Sequence, residues 1–326
     1  MTDAQIIALG ESHGWVLNAA ARSAGKFGSG SFERRFRVLK AKHLHPPAGT
    51  SQADVTRAPV VAPVEHRVPP PVLPAGRDLH AVLGGDLHDP EKDKPAWNAF
   101  LRYCHERQPD VLVLTEMLEW LSMSQHAGSA WGARWNDDRA TGRRLFVQIR
   151  SIVPKAEIVV LESNHDTRLE RTIAQRLPAL NGAFSLPHEL GLDDLGIRWI
   201  PEEQSYRLGR LKLIHGHQLS SNPEKGMIPE NACKRAIQRF GEPGWTTVFF
   251  HTHRKGYWAE KHDSGLFEAV NLPCLRTLRP DWHRGWVAGH VNGFGIADIG
   301  PAGQTNLYPV DIENGAFSYG GRRYAA

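Results

Sequence analysis

Polar side chains that can bind divalent metals follow five separate apolar runs of this 326-residue chain. The runs are typical of β-strands and cover residues 79–83, 111–114, 158–161, 211–214 and 246–250. The segments that follow them are Asp86-Leu87-His88, Thr115-Glu116, Asn164-His165-Asp166, His215-Gly216-His217 and His251-Thr252-His253. Because the carboxyl ends of strands in an α/β sheet share the edge at which ligands bind, we expect these segments to converge.

The residue types in these segments indicate metal-dependent hydrolysis of a phosphoester. Carboxylate oxygens, amide oxygens and imidazole nitrogens suit Mn, Fe, Zn or Co, and none of the segments offers a thiolate. Two such ions can hold a bridging hydroxide and clamp a phosphoryl group for in-line attack. Metal charge is also the strongest available stabilisation for a transition state that concentrates negative charge. A single histidine after a strand is most often structural, but five such segments together argue against coincidence.

The order Asp-x-His, acidic residue, Asn-His-Asp, His and His-x-His resembles the calcineurin-like metallophosphoesterase superfamily, over residues 84–253. The resemblance implies an α/β fold, a two-sheet sandwich with outer helices. It implies two divalent ions, with manganese the first choice and iron, zinc, nickel or cobalt as alternatives. It implies a first metal held by Asp86, His88 and His253, a second held by Asn164, His215 and His251, and Glu116 between them.

The same resemblance assigns roles to two further residues. His165 is expected to protonate the leaving oxygen or to stabilise the transition state, and Asp166 is expected to orient His165. His217 has two interpretations, either an outer ligand or phosphate contact, or a histidine on the surface or behind the ligands.

The second motif departs from the pattern of the superfamily. That pattern is Gly-Asp-x-x-Asp, whereas this chain has Thr115-Glu116-Met117-Leu118-Glu119. Glu116 keeps the negative charge but is one methylene longer than Asp, so the spacing or the preferred metal can change. Glu119 is expected either behind the ligands or exposed. In the third motif Ser163 replaces the usual glycine.

Composition divides the chain into three zones, residues 1–45, 46–76 and 77–326. The middle zone holds eight prolines and no helical or strand period, which is typical of an extended linker. The third zone is the expected metallophosphoesterase domain. Cys104, Cys233 and Cys274 form no CxxC pair, and the chain has neither an 18-residue apolar run nor a signal-peptide pattern at its start. A cytoplasmic location is therefore expected.

The first zone carries the whole net charge of the chain. It has seven Lys or Arg against three acidic residues, and the chain as a whole has a formal charge of +4. A helix is predicted over residues 4–9, and a later one is predicted to present Arg34, Arg35, Arg37 and Lys40 on one face. This zone resembles a helix-turn-helix of the small factor-for-inversion type, which implies DNA binding. The alternative is a basic helical hairpin that packs or oligomerises.

A tethered DNA-binding module would raise the local concentration of DNA at the catalytic domain, so a DNA phosphodiesterase or nuclease is the leading prediction. The overall combination resembles metallophosphoesterases of phages and prophages. Aromatic and basic side chains after the second motif can stack bases and grip phosphates, or can simply pack and be solvated. They are Trp120, Trp131, Trp135, Arg134, Arg139, Arg143, Arg144 and Arg150.

Two other functions remain open from the sequence. The first is a phosphomonoesterase or small-nucleotide hydrolase whose basic module only targets it. The second is a non-catalytic DNA-binding regulator with a relic metal site.

Overall fold

A computed structural model describes residues 2–12, 36, 76–124, 132–180, 182–219, 229–279 and 289–326. The chain divides into two compact units, residues 1–64 and 65–326. In the first unit, helix α1 (Asp3–Ser12) confirms the helix predicted over residues 4–9. The predicted zone boundaries and the helix-turn-helix stay predictions, since Arg34, Arg35, Arg37 and Lys40 lie outside the described residues.

The second unit contains all the strands of the described chain. The strands are β1 (Leu79–Gly85), β2 (Val111–Thr115), β3 (Glu157–Leu161), β4 (Ile197–Ile200), β5 (Tyr206–Leu208), β6 (Leu211–Leu213), β7 (Thr246–Phe249), β8 (Gly256–His262), β9 (Gly265–Asn271), β10 (Gly293–Ile299), β11 (Thr305–Asp311), β12 (Ala316–Tyr319) and β13 (Arg322–Ala325). Its helices are α2 (Lys94–Arg107), α3 (Trp135–Ile152), α4 (Arg168–Arg176), α5 (Leu186–Leu190) and α6 (Pro229–Phe240).

One sheet has six strands in the order β11-β10-β1-β2-β3-β4. Strands β1 to β4 run parallel to one another. Strand β10 pairs antiparallel with β1, and β11 pairs antiparallel with β10. Every residue of β2 is buried, as are the last four of β3, because this sheet is covered on both faces. Such strands have continuous apolar sequences rather than alternating ones.

The second sheet has five strands in the order β5-β6-β7-β9-β8 and packs face to face on the first. Leu83 and Val113 of the first sheet share a buried core with Leu213 and Val248 of the second. The two-sheet α/β sandwich predicted from the sequence is therefore confirmed.

Helices and a hairpin cover the outer faces of the sandwich. Helices α2 and α3 pack on the first sheet together with the β12–β13 hairpin, and α6 packs on the second sheet. Helix α2 begins after Asp93, whose side chain accepts a hydrogen bond from the Ala96 N–H. No helix among the described residues is long and apolar enough to cross a membrane.

The two sheets approach each other closely where β1 ends. A Cβ built on Gly85 would lie 2.6 Å from Thr115 Cγ2 and 2.8 Å from Phe250 Cδ1. Only glycine fits there, so the next residue, Asp86, enters the space between the carboxyl ends of the two sheets.

We expect Gly85→Ala to destabilise the protein by about 1–3 kcal/mol, because the added methyl overpacks a rigid, buried contact. Urea unfolding of the two proteins would measure this difference. The exposed substitution Val147→Ala is the control, and an unchanged free energy of unfolding in Gly85→Ala would contradict the packing argument.

Candidate metal centre

The loops after β1, β2 and β7 place their polar residues through unusual backbone geometry. Asp86, His88, Glu116, His251 and His253 have φ angles of 49°, 53°, 46°, 72° and 58°. Residues other than glycine seldom adopt a positive φ, and such strain concentrates at functional sites. The fold therefore tolerates local strain in order to turn these five side chains toward a common point.

The first ligand group consists of Asp86, His88, Glu116 and His253, all of them buried, with ligand atoms within 4.8 Å of one another. The Nε2 atom of His88 lies 3.1 Å from Nε2 of His253 and 3.2 Å from Oε2 of Glu116. The Nε2 atom of His253 lies 3.8 Å from Oδ2 of Asp86. These are the residues predicted for the first metal together with the predicted bridge.

The second group is formed by Glu116, His215 and His251. The Nε2 atom of His215 lies 3.6 Å from Oε2 of Glu116 and 3.2 Å from Nδ1 of His251. The predicted ligand Asn164 joins them, with its Oδ1 atom 3.1 Å from Nε2 of His215. Glu116 thus lies in both groups, where a bridging carboxylate is expected.

The residues present fit divalent cations. Oδ1 of Asp86 and Oε1 of Glu116 are buried and make no hydrogen bond to any of the described residues, although buried carboxylate oxygens are normally satisfied. The Nε2 atoms of His88 and His253 face each other at 3.1 Å, and each must be unprotonated to bind an ion. Oxygen and nitrogen donors without thiolate suit Mn, Fe, Zn or Co, and the two groups contain no cysteine.

The pKa values of these groups reflect burial and mutual charge. Burial raises the pKa of Asp86, and the neighbouring Glu116 raises it further. Burial also acts to raise the pKa of Glu116, but the positive charge of nearby imidazoles outweighs it and lowers that pKa. For His88, burial acts to lower the pKa, yet Glu116 and Glu119 outweigh it and raise the value to about 9. Burial lowers the pKa of His253.

Two hydrogen bonds link the ligands of the two sheets. Oδ2 of Asp86 accepts a hydrogen bond of 2.8 Å from the backbone N–H of His251. The hydroxyl of Thr115 donates to the Leu161 carbonyl (2.9 Å) and lies 3.0 Å from Nδ1 of His215. Because the Thr115 hydroxyl donates its hydrogen to Leu161, it can only accept a hydrogen bond from the Nδ1–H of His215. Nε2 of His215 is then unprotonated and available to a metal. Thr115 had no predicted role, and its only signal in the sequence is its place before Glu116.

Glu119 lies behind the ligands, one of the two positions expected for it. Oε2 of Glu119 lies 2.6 Å from Nδ1 of His88, and the residue is 9% exposed. A carboxylate on the second nitrogen of a ligand histidine fixes its tautomer and raises its basicity. Burial acts to raise the pKa of Glu119, but the bond to His88 and the charges of His165, His88 and Arg168 together outweigh it and lower the pKa to about 2.

His165 lies beside the first group. Its Nε2 atom is 3.6 Å from Oε1 of Glu116, and its Nδ1 atom is 3.5 Å from Oε2 of Glu119. Burial lowers the pKa of His165 to about 3, and Arg168 donates to Nε2 at 2.7 Å. Its side chain is 12% exposed, so it lies at the boundary between the ligand groups and solvent.

The hydrogen bonds of Asp166 correct the role expected for it. Its carboxylate accepts from the N–H (2.9 Å) and hydroxyl (2.8 Å) of Ser163 and from the Trp120 indole (2.9 Å). In the described structure, no hydrogen bond joins Asp166 to the ring of His165. Asp166 therefore stabilises the turn after β3 instead of orienting the catalytic candidate, and Ser163 supplies the hydroxyl that this turn uses.

His217 lies beside the second group but outside it. Its Nε2 atom is 2.8 Å from Oε2 of Glu202, and its ring centroid is 5.3 Å from that of His215. This position agrees with a histidine behind the ligands.

The aromatic and basic residues of α3, together with Trp120 before it, pack against the protein itself. Trp120 and Trp135 stack on each other with ring centroids 5.5 Å apart. Arg150 donates to four backbone carbonyls, and Arg139 pairs with Glu189 at 2.9 Å. These side chains therefore do not support a nucleic-acid surface. Trp131 lies outside the described residues.

No family model matches this chain, and no curated protein matches it. Among solved structures it is similar to vacuolar protein sorting 29 of Cryptosporidium parvum, at 14% identity over 77% of this chain and 96% of that one, with a TM-score of 0.38. It is also similar to Vps29 of Chaetomium thermophilum, at 13% identity over 72% and 92% of the two chains, with a TM-score of 0.35. Function is therefore inferred from the side chains of the centre.

We expect Glu119→Gln to weaken binding of an ion at the first group by about 10–100-fold, because His88 loses the carboxylate that fixes its tautomer. Calorimetric titration of the ion-free protein with Mn²⁺ would measure the change. The exposed substitution Glu313→Gln is the matched control, and equal affinities in Glu119→Gln and the wild type would contradict this role.

Binding at the first group should also depend on pH. Because the pKa of His88 is about 9 without an ion, its ring carries an extra proton at pH 7 that an ion must displace. The affinity for Mn²⁺ should therefore rise about tenfold per pH unit between pH 7 and 9, as expected for release of one proton. An affinity that stays constant over this range would show that His88 is already neutral.

Proposed function

We propose that this chain is a two-metal phosphoester hydrolase of the calcineurin-like metallophosphoesterase superfamily. The observation that carries the proposal is the position of Glu116 in both ligand groups. Residues from five segments that span positions 86 to 253 form two adjacent groups with one shared carboxylate. A shared carboxylate is what holds two ions close enough to act on the same phosphoryl group.

Each of the two ions would be held by its own set of side chains. Asp86, His88 and His253 would hold the first, and Asn164, His215 and His251 would hold the second, with Glu116 between them. When bound, the ions supply Lewis-acid polarisation and positive charge for the phosphoryl group.

Neighbouring residues orient the ligands and line the solvent-facing side of the centre. Glu119 and Thr115 set the tautomers of His88 and His215, so that a lone pair of each ring faces its ion. His165 lies at the solvent boundary next to Glu116, with Nε2 accepting from Arg168 and Nδ1 facing Glu119, so its ring would have to turn in order to donate to a substrate oxygen.

For the substrate, we propose a phosphodiester of DNA, with manganese as the preferred ion. The support is the excess of basic residues in positions 1–45 and the proline-rich segment that follows them. The arginines of α3 add no support, since they donate to backbone carbonyls, to Glu189 or to the Thr141 hydroxyl. The DNA proposal thus depends on residues 1–76 and not on the metal centre.

The proposal predicts hydrolysis of bis(p-nitrophenyl) phosphate that requires Mn²⁺ and is lost on chelation. His88→Ala and Asn164→Ala should each abolish it, because each removes a ligand. His262→Ala, a substitution of an exposed histidine on β8, is the matched control and should retain full activity. Absence of turnover of any ester with Mn, Co, Ni, Fe or Zn would contradict the hydrolase proposal and favour a relic site.

The same assay separates the substrate classes. Charge reversal at Arg34 and Arg35 in the full chain should reduce DNA cleavage and leave the small diester unaffected. Faster turnover of p-nitrophenyl phosphate than of any diester, unaffected by this reversal, would instead indicate a phosphomonoesterase.

A further inference from the structure

We propose that Arg168 is a positioning residue that sets the orientation and tautomers of two histidines through a single guanidinium. The inference rests on the proposed function, because one of these histidines is a candidate ligand of the first ion. Arg168 is the first residue of α4, immediately after the turn that carries Asn164 and His165.

The guanidinium of Arg168 joins two loops of the centre. Its Nη1 atom donates to the backbone carbonyl of Glu119 at 2.6 Å and lies 3.3 Å from Oε1 of the same residue. Its Nη2 atom lies 2.7 Å from Nε2 of His165. Because the side chain is only 19% exposed, water competes little for these contacts.

The contact to His165 determines which ring nitrogen carries the proton. A guanidinium can only donate, so Nε2 of His165 must accept. In the neutral ring the proton then lies on Nδ1, which is buried and faces Oε2 of Glu119 at 3.5 Å. Without Arg168, the opposite tautomer would no longer be excluded.

The contact to Glu119 reaches His88. One carboxylate oxygen of Glu119 faces Arg168 and the other faces Nδ1 of His88, so the carboxylate is held from both sides. With Nδ1 of His88 as the donor to Glu119, Nε2 is the nitrogen that faces the first ligand group. Removing Arg168 would allow the Glu119 carboxylate to rotate and would remove the positive charge that neighbours it.

Arg168→Met should therefore weaken Mn²⁺ binding at the first group about tenfold, with the second group unaffected. Arg168→Lys should recover only part of this loss, because one ammonium cannot span Glu119 and His165 in the guanidinium geometry. Calorimetry on the full chain would measure both affinities. Arg176→Met, at the exposed end of the same helix, is the matched control.

A double-mutant cycle tests whether Arg168 acts through Glu119. If it does, Arg168→Met should cause little further loss of affinity in a Glu119→Gln background. Fully additive losses, or an Arg168→Met protein that binds both ions as the wild type does, would overturn the inference. Equal thermal midpoints of Arg168→Met and Arg176→Met would separate positioning from a general loss of stability.

A readout without metal distinguishes this inference from the proposed function. Two-bond ¹H–¹⁵N spectra of the ion-free chain, assigned with His165→Gln, should show Nδ1-protonated His165 in the wild type and a changed tautomer in Arg168→Met. An unchanged tautomer would overturn the positioning role. If the tautomer changes but the wild type binds no ion, the hydrolase proposal fails while the role of Arg168 stands.

Discussion

The buried carboxylate of Glu116 is the constraint on which the centre depends. It is 1% exposed and lies within 3.6 Å of His88, His165 and His215. A buried charge of this kind costs several kcal/mol unless opposite charge compensates it, and a protonated His88, whose pKa is raised to about 9, supplies part of that charge. Two cations would satisfy both the carboxylate and the rings. The positive φ angles that turn the ligands toward Glu116 each cost about 1–3 kcal/mol of backbone strain.

The parts of the molecule that follow from local sequence were predictable. Continuous apolar runs indicated the central strands, and the rule that ligands bind at the carboxyl edge predicted which residues would converge. Asp86, Glu116 and His215 are examples, since each directly follows a strand or lies one residue beyond it. The grouping around Glu116 came from the family resemblance, because spacing alone does not show which histidine shares an ion with which carboxylate.

The hydrogen bonds behind the ligands were not predictable in the same way. Adjacent residues in a tight turn point in different directions, so the position of Asp166 next to His165 did not imply a contact between them. Glu119 reaches His88 across 31 positions of the chain, and Arg168 reaches Glu119 across 49. The arginines of α3 were also not predictable from sequence. Their basic helix was consistent with nucleic-acid binding, but Arg150 donates to backbone carbonyls of the same domain.

The origin of the ligands has a consequence for folding itself. Asp86 and Asn164 follow strands of one sheet, whereas His215 and His251 follow strands of the other. An ion held by both sheets acts as a cross-link that the unfolded chain cannot form. At a free concentration one hundred times its dissociation constant, one such ion would add about 2.7 kcal/mol to the free energy of unfolding. The concentration of free metal would therefore affect the stability of the fold as well as its chemistry.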